Sequence, residues 1–187
     1  MPLLEMREAV FTLNGTQLLS PTTLSLDEGE QLAYPCPTGR SAATLALIAA
    51  GIVRPSSGRV FIGAFDPRIQ PVQVKRMTGY VPHDAVVQEF TTLTRYVEYR
   101  AALWGLPRDE TVVRARALLE RLDGVHEAFA YPLIGALVAA PRLLVLDRPQ
   151  AAYAPQIFAA VQNCAILSTH ASYREAQRFL EYSKAAL

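Results

Sequence analysis

Apolar residues fall along this chain in short runs at its two ends and in helix-spaced stripes in its middle. Near the start, Ala9–Leu13, Thr22–Leu26 and Gln31–Tyr34 read as strands. Asn14-Gly15 and Asp27-Glu28-Gly29-Glu30 separate them as turns. A helix is expected from Ala42 to about Ile52, ended by Arg54-Pro55-Ser56-Ser57-Gly58. Arg59–Ile62 and Thr78–Val81 are further strands, with Gly63-Ala64-Phe65-Asp66-Pro67 as a turn between them and Pro82 as a stop. In the middle, Thr94–Trp104 carries Tyr96, Val97, Tyr99 and Leu103 at helical spacing, and Gly105-Leu106-Pro107 ends it. Asp109–Leu122 sets Val112, Val113, Ala117, Leu118 and Leu122 against Arg114, Arg116, Glu120 and Arg121. These tyrosine and leucine stripes are read as core. Leu143-Leu144-Val145-Leu146-Asp147 is a continuous apolar run ending in a carboxylate, and Ala165–His170 is a second such run; both predict buried parallel strands. Ser172-x-x-Glu175 is a capping box for a last helix, roughly Tyr173–Ala185. Strands alternating with helices predict an α/β architecture with a mainly parallel sheet. One domain is expected over residues 1–187, with a helical subdomain at about 84–140.

Composition narrows the partners. Charged residues make up 19% of the chain, against about 25% in ordinary domains. A thinly charged surface fits one partly covered by a partner; alanine richness explains the same number. Net charge is +1, so no global field draws the chain to nucleic acid or anionic lipid. Cys36 and Cys164 make no disulfide framework and no metal spacing, which fits a reducing cytosol and no bound metal. Residues 1–8 lack the basic-then-apolar order of a signal peptide. The longest uncharged run, Ala128–Pro141, contains Pro132 and is shorter than the roughly 18 residues of a spanning helix. No direct membrane insertion is expected, so a membrane role would come through a partner.

The candidate chemistry lies between the third strand and the first helix, in Tyr34-Pro35-Cys36-Pro37-Thr38-Gly39-Arg40-Ser41-Ala42-Ala43-Thr44-Leu45. A phosphate-binding loop reads G-x-x-x-x-G-K-[ST]: glycines admit the phosphates to backbone amides, lysine reaches the β/γ oxygens and the hydroxyl holds Mg²⁺. Here Cys36 and Ser41 stand at the glycines, Ala42 at the lysine and Ala43 at the hydroxyl, while Gly39 and Thr44 are kept. The frame is present without its functional groups, which points to an ATPase-derived protein that no longer hydrolyses ATP.

Six motifs in order carry a family resemblance: Gly29-Glu30, the loop frame, Gly51-x-x-x-Pro55-Ser56-Ser57-Gly58, Gly79-Tyr80-Val81-Pro82, Leu143–Asp147-x-Pro149, and Ser168-Thr169-His170. Together they resemble the nucleotide-binding subunits of ABC transporters over about Leu3 to Phe179. The wording around Pro55–Gly58 and Gly79–Pro82 is most similar to exporter ATPases whose membrane subunit is a separate chain. The resemblance implies a P-loop NTPase-like parallel sheet flanked by helices, a small antiparallel part and a reduced helical subdomain.

Family roles map onto single positions. The adenine-stacking aromatic falls near Leu13; Phe11, two residues early, is either core or a displaced stacking partner. Arg40 points to solvent on this reading. The magnesium-sensing glutamine is His83, a poorer Mg²⁺ ligand than an oxygen donor. Asp147 matches the aspartate that holds magnesium through water. The water-activating glutamate is Arg148, a permanent cation that cannot act as a base. Two placements are open to Arg148: paired with Asp147, filling the charge role of magnesium, or turned to solvent. The dimer-contact loop is Gln150–Pro155, with Ala154 at its aspartate position. His170 matches the histidine that touches the γ-phosphate. A Ser-Gly-Gly signature loop opening a helix is expected between Leu122 and Leu143, and none is there; the chain runs through Asp123–Pro132 into Leu133–Ala140 and is expected to be several helical turns short. The usual C-terminal strands are also expected to be missing.

The implied function is a catalytically inactive ABC-type subunit, cytoplasmic and peripheral to the membrane. It would partner an active ABC ATPase subunit, a transporter membrane subunit, or both, with ATP and Mg binding weak or absent. Phe90, Tyr96, Tyr99 and Trp104 fall where the family grips its membrane subunit. Two alternatives stay open: a weak or unusual ATP binder energising export through Asp147, His170 and Arg40, and a structural component of a non-transport assembly.

Overall fold

A computed structural model describes residues 2–84, 92–161 and 164–184. Two sheets sandwich one helix. The first sheet is antiparallel, in the order β2 (Thr16–Leu26), β1 (Leu4–Leu13), β4 (Ser57–Ile62). Asn14 and Gly15, both at positive φ, form the two-residue turn that joins β1 to β2. Both strands run several residues beyond the expected spans: Leu4 and Met6 are buried while Arg7 is exposed, an alternation interrupted by a bulge at Glu8, whose φ is 46°. Pro21 is accommodated because β2 is an edge strand.

The second sheet is parallel, in the order β3 (Gln31–Pro35), β7 (Ala165–His170), β6 (Leu143–Asp147), β5 (Thr78–Val81). Its two central strands are buried throughout. Leu143, Val145, Ala165 and Leu167 face α1 (Gly39–Ala49) and the antiparallel sheet; Leu144, Leu146 and Ile166 face the other helices. Burial on both sides explains why these strands read as unbroken apolar runs. In register, Pro35 lies beside His170 and Thr169 beside Asp147. The loops after β3, β6 and β7 therefore emerge together at one end of the sheet, where parallel α/β folds carry their sites.

Four helical segments differ from expectation. α1 begins at Gly39 rather than Ala42. α2 (Pro71–Met77), with proline in its first turn, and α6 (Ala154–Ala160), which follows a 3₁₀ turn at Ala151–Tyr153, were not predicted. α5 (Glu127–Leu137), an 11-residue helix that runs through Pro132, lies inside the expected helical subdomain but had not been singled out as an element. α5 packs with α3 (Leu93–Trp104) and α4 (Arg108–Arg121). Tyr96 lies over Gly135, where a Cβ would come 2.5 Å from the phenol oxygen. α7 (Tyr173–Lys184) covers the β3–β7 edge; Ser172 Oγ accepts from Glu175 N at 3.2 Å, as a capping box requires, while the Glu175 carboxylate accepts from Ala171 N at 3.1 Å rather than from Ser172 N.

Candidate functional site

The site is built where β3 gives way to α1. Cys36 N donates to the His170 carbonyl at 2.8 Å, which ties the loop to the end of β7. Thr38 caps α1 in extended conformation and exchanges hydrogen bonds with Ser41: Ser41 N donates to Thr38 Oγ1 and Thr38 N to Ser41 Oγ, both at 3.1 Å. Ala42 N donates to the Thr38 carbonyl at 3.0 Å. The amides of Ser41 and Ala42, which a phosphate would need at a helix N-terminus, are thus committed within the loop. Ala42 is fully buried, Thr44 is buried with its hydroxyl on the Arg40 carbonyl at 2.8 Å, and Arg40 is exposed. Ala43 is partly buried. The one cation among these side chains, Arg40, is exposed.

A cation arrives from β6 instead. Asp147, 4% exposed, ends the strand, and Arg148 leaves it with φ of 49°. Consecutive strand residues point to opposite faces; the left-handed turn brings Arg148 back to its neighbour. Nε donates to Asp147 Oδ1 at 2.9 Å and Nη2 reaches Oδ2 at 3.4 Å. Nη1 lies against the first turn of α1, 2.9 Å from where a Cβ on Gly39 would be. Of the two placements open to Arg148, the structure adopts the paired one. Its amide donates to the Thr169 carbonyl at 2.9 Å, and its own carbonyl accepts from His83 at 3.1 Å, which makes Nδ1 the protonated nitrogen of that ring.

Asp147 also acts on Cys36, already placed in the loop frame, and on Thr169 and Tyr80, to which no site role had been assigned. Thr169 Oγ1 sits 3.5 Å from its Oδ1. Burial first, and the Asp147 charge second, push the Tyr80 phenol up to about 12 and the Cys36 thiol up to about 11. Both stay protonated at neutral pH, so neither offers a nucleophile. Only the parallel register brings these side chains together, and no local spacing could have shown it.

His170 is buried on the other face of β7. Its Nε2 lies 3.0 Å from Ser168 Oγ and its ring packs on Phe179 at 5.2 Å between centroids. Burial pushes the imidazole down to about 4, against an opposing pull from Glu175. It is neutral at physiological pH. His83, Arg148 and His170 line one groove together with Gln150, Arg178 and Tyr182.

The other expected positions are scattered. Ala154 is fully buried in the first turn of α6. The loop opening α5 reads Asp123-Gly124-Val125-His126, with the His126 ring accepting from Ala128 N at 3.2 Å. Of the expected contact aromatics, Tyr96 is buried, which removes it from the surface; Trp104 is partly buried and Tyr99 is 49% exposed. Phe90 lies outside the described residues. Among the described residues no group of His, Cys, Asp and Glu is arranged to hold a metal, and no helix is long and apolar enough to cross a membrane.

These residues do not fit a magnesium–nucleotide pair. The position between Asp147 and α1 is taken by a guanidinium, and the Ser41 and Ala42 amides donate to Thr38.

No family model matches the chain. The sulfate/thiosulfate import ATP-binding protein CysA of Xylella fastidiosa (strain 9a5c) is 30% identical over 156 residues, covering 74% of this chain and 44% of that protein. The glycine betaine/carnitine/choline transport ATP-binding protein OpuCA of Bacillus subtilis (strain 168) is 27% identical over 155 residues, covering 75% of this chain and 41% of that protein. The matched part therefore spans less than half the length of either relative. Among solved structures, the ATP-binding cassette MJ0796, a dimer bound to ADP and Pi, superposes with a TM-score of 0.77 at 16% identity, covering 94% of this chain and 90% of that one. CbiO1 from Clostridium perfringens, part of the ABC transporter complex cbiONQ, superposes with a TM-score of 0.70 at 23% identity, covering 90% and 78%. Sequence relatives and shared fold converge: the chain is a homologue of ABC transporter ATP-binding subunits, shorter than the relatives it matches.

Proposed function

We propose that this chain is a catalytically inactive ABC-type nucleotide-binding subunit, acting as a scaffold or regulatory partner in a membrane transporter complex. The observation that carries this reading is Arg148, which follows the buried Asp147 and is ion-paired to it at 2.9 Å. A guanidinium cannot take a proton from water at any physiological pH, and a general base contributes about 10²–10⁴-fold to such reactions. Cys36, Gly39, Arg40, Ser41, Ala42, Ala43, Thr44, His83, Asp147, Arg148 and His170 then form a vestigial nucleotide site. The single domain of this reading sits in the cytoplasm, held at the membrane by an active ATPase subunit or a membrane subunit. Tyr99 and Leu103, half-exposed one turn apart on α3, support α3 as part of the contact face.

Phosphate release with Mg-ATP tests the first half of this proposal. The chain should give no turnover above an Asp147→Ala control, and turnover above that control would refute inactivity. Affinity purification from the native source tests the second half. An ABC ATPase or transporter membrane subunit should co-purify; recovery of the chain alone, as a well-behaved monomer, would count against a partner-dependent role.

A further inference from the structure

We propose that Arg148 is a resident counter-ion: its guanidinium fills the space between Asp147 and the first turn of α1, neutralising the site from within and closing it to outside ions. The inference deepens the inactive reading above by naming what keeps the site shut.

Four observations converge on it. Asp147 is a carboxylate buried to 4% exposure, and such a group is strongly destabilising unless paired. Arg148 meets both carboxylate oxygens, at 2.9 and 3.4 Å, with its side chain only 25% exposed. Its backbone is clamped on both sides, by the Thr169 carbonyl and by His83, in a left-handed conformation that non-glycine residues rarely adopt. Nη1 packs on Gly39, 2.9 Å from where a Cβ on that residue would stand.

One force opposes this placement. The N-terminus of a helix carries partial positive charge and repels a cation. A guanidinium resting on Gly39 therefore needs a stronger attraction to hold it, and Asp147 supplies that charge. A solvated arginine would have avoided the helix end.

The test is a double-mutant cycle on the full chain, read by urea denaturation. Arg148→Gln should raise the unfolding constant by roughly 10- to 100-fold, because it strands a buried carboxylate. Asp147→Asn combined with Arg148→Gln should recover most of that loss. MgCl₂ should stabilise Arg148→Gln, whose bare carboxylate now attracts a hard cation, and leave the wild type unchanged. Should Arg148→Gln not fold, Arg148→Lys, which keeps the charge, should fold; its failure too would assign the loss to shape and overturn the proposal. An Arg148→Gln protein as stable as wild type without coupling to Asp147, or equal stabilisation of both by MgCl₂, would overturn it as well. The readout is independent of catalysis. ATP turnover by the wild type would sink the inactive reading and leave the coupling standing, whereas zero coupling would sink only this inference.

Discussion

Replacing His170 by glutamine should change how stability depends on pH. His170 is 1% exposed, and burial holds its imidazole at about 4 instead of its ordinary 6.5. The folded pKa is the lower one, so between those values the unfolded chain binds more protons. Stability from the neutral ring is therefore fully present above pH 6.5 and lost as pH falls toward 4. At about pH 5 the proton-binding weights of the two states differ by about 30-fold, a loss of about 2 kcal/mol. Glutamine keeps a polar group for Ser168 Oγ but cannot titrate. Losing the ring contact with Phe179 should cost about 0.5–1.5 kcal/mol, equally at every pH. Urea denaturation of both proteins at about pH 7.5 and about pH 5 isolates the histidine, because carboxylates such as Glu175 titrate in both. Wild type should lose about 2 kcal/mol more than His170→Gln over that interval. Equal losses, or an imidazole NMR titration centred near its ordinary value, would refute the burial argument.

Three further outcomes follow from the packing. Gly58→Ala should cost about 2 kcal/mol or more in denaturation experiments, since φ is 82° and the new Cβ would come 2.2 Å from the Glu8 carbonyl oxygen. Phe179→Ala should cost about 3–5 kcal/mol, because the ring is 1% exposed and packs on Phe158 and His170. Cys36, with its thiol pushed up to about 11, should resist alkylation by iodoacetamide at neutral pH in the folded chain and react only on unfolding, as mass spectrometry would show.

The central strands were legible because burial on both faces forces uninterrupted apolar runs such as Leu143–Leu146. α5 was not legible for a related reason. It is buried nearly all round, from Ala130 to Leu137, so it shows no amphipathic period, and Pro132 reads as a break. The early start of α1 was hidden because Thr38 and Ser41 cap it as a pair, without the glutamate or glutamine that marks a capping box in sequence. The substitutions in the phosphate-loop frame could be read directly. Where Arg148 goes could not be read, since adjacent strand residues point apart and only the positive φ turns its side chain back onto Asp147.

Calorimetric titration of the chain with Mg-ATP tests most directly whether its own side chains have closed the nucleotide site. With the Ser41 and Ala42 amides committed to Thr38 and a guanidinium between Asp147 and Gly39, the account predicts no saturable heat through the millimolar range. Saturable, magnesium-dependent binding at submillimolar affinity would contradict it.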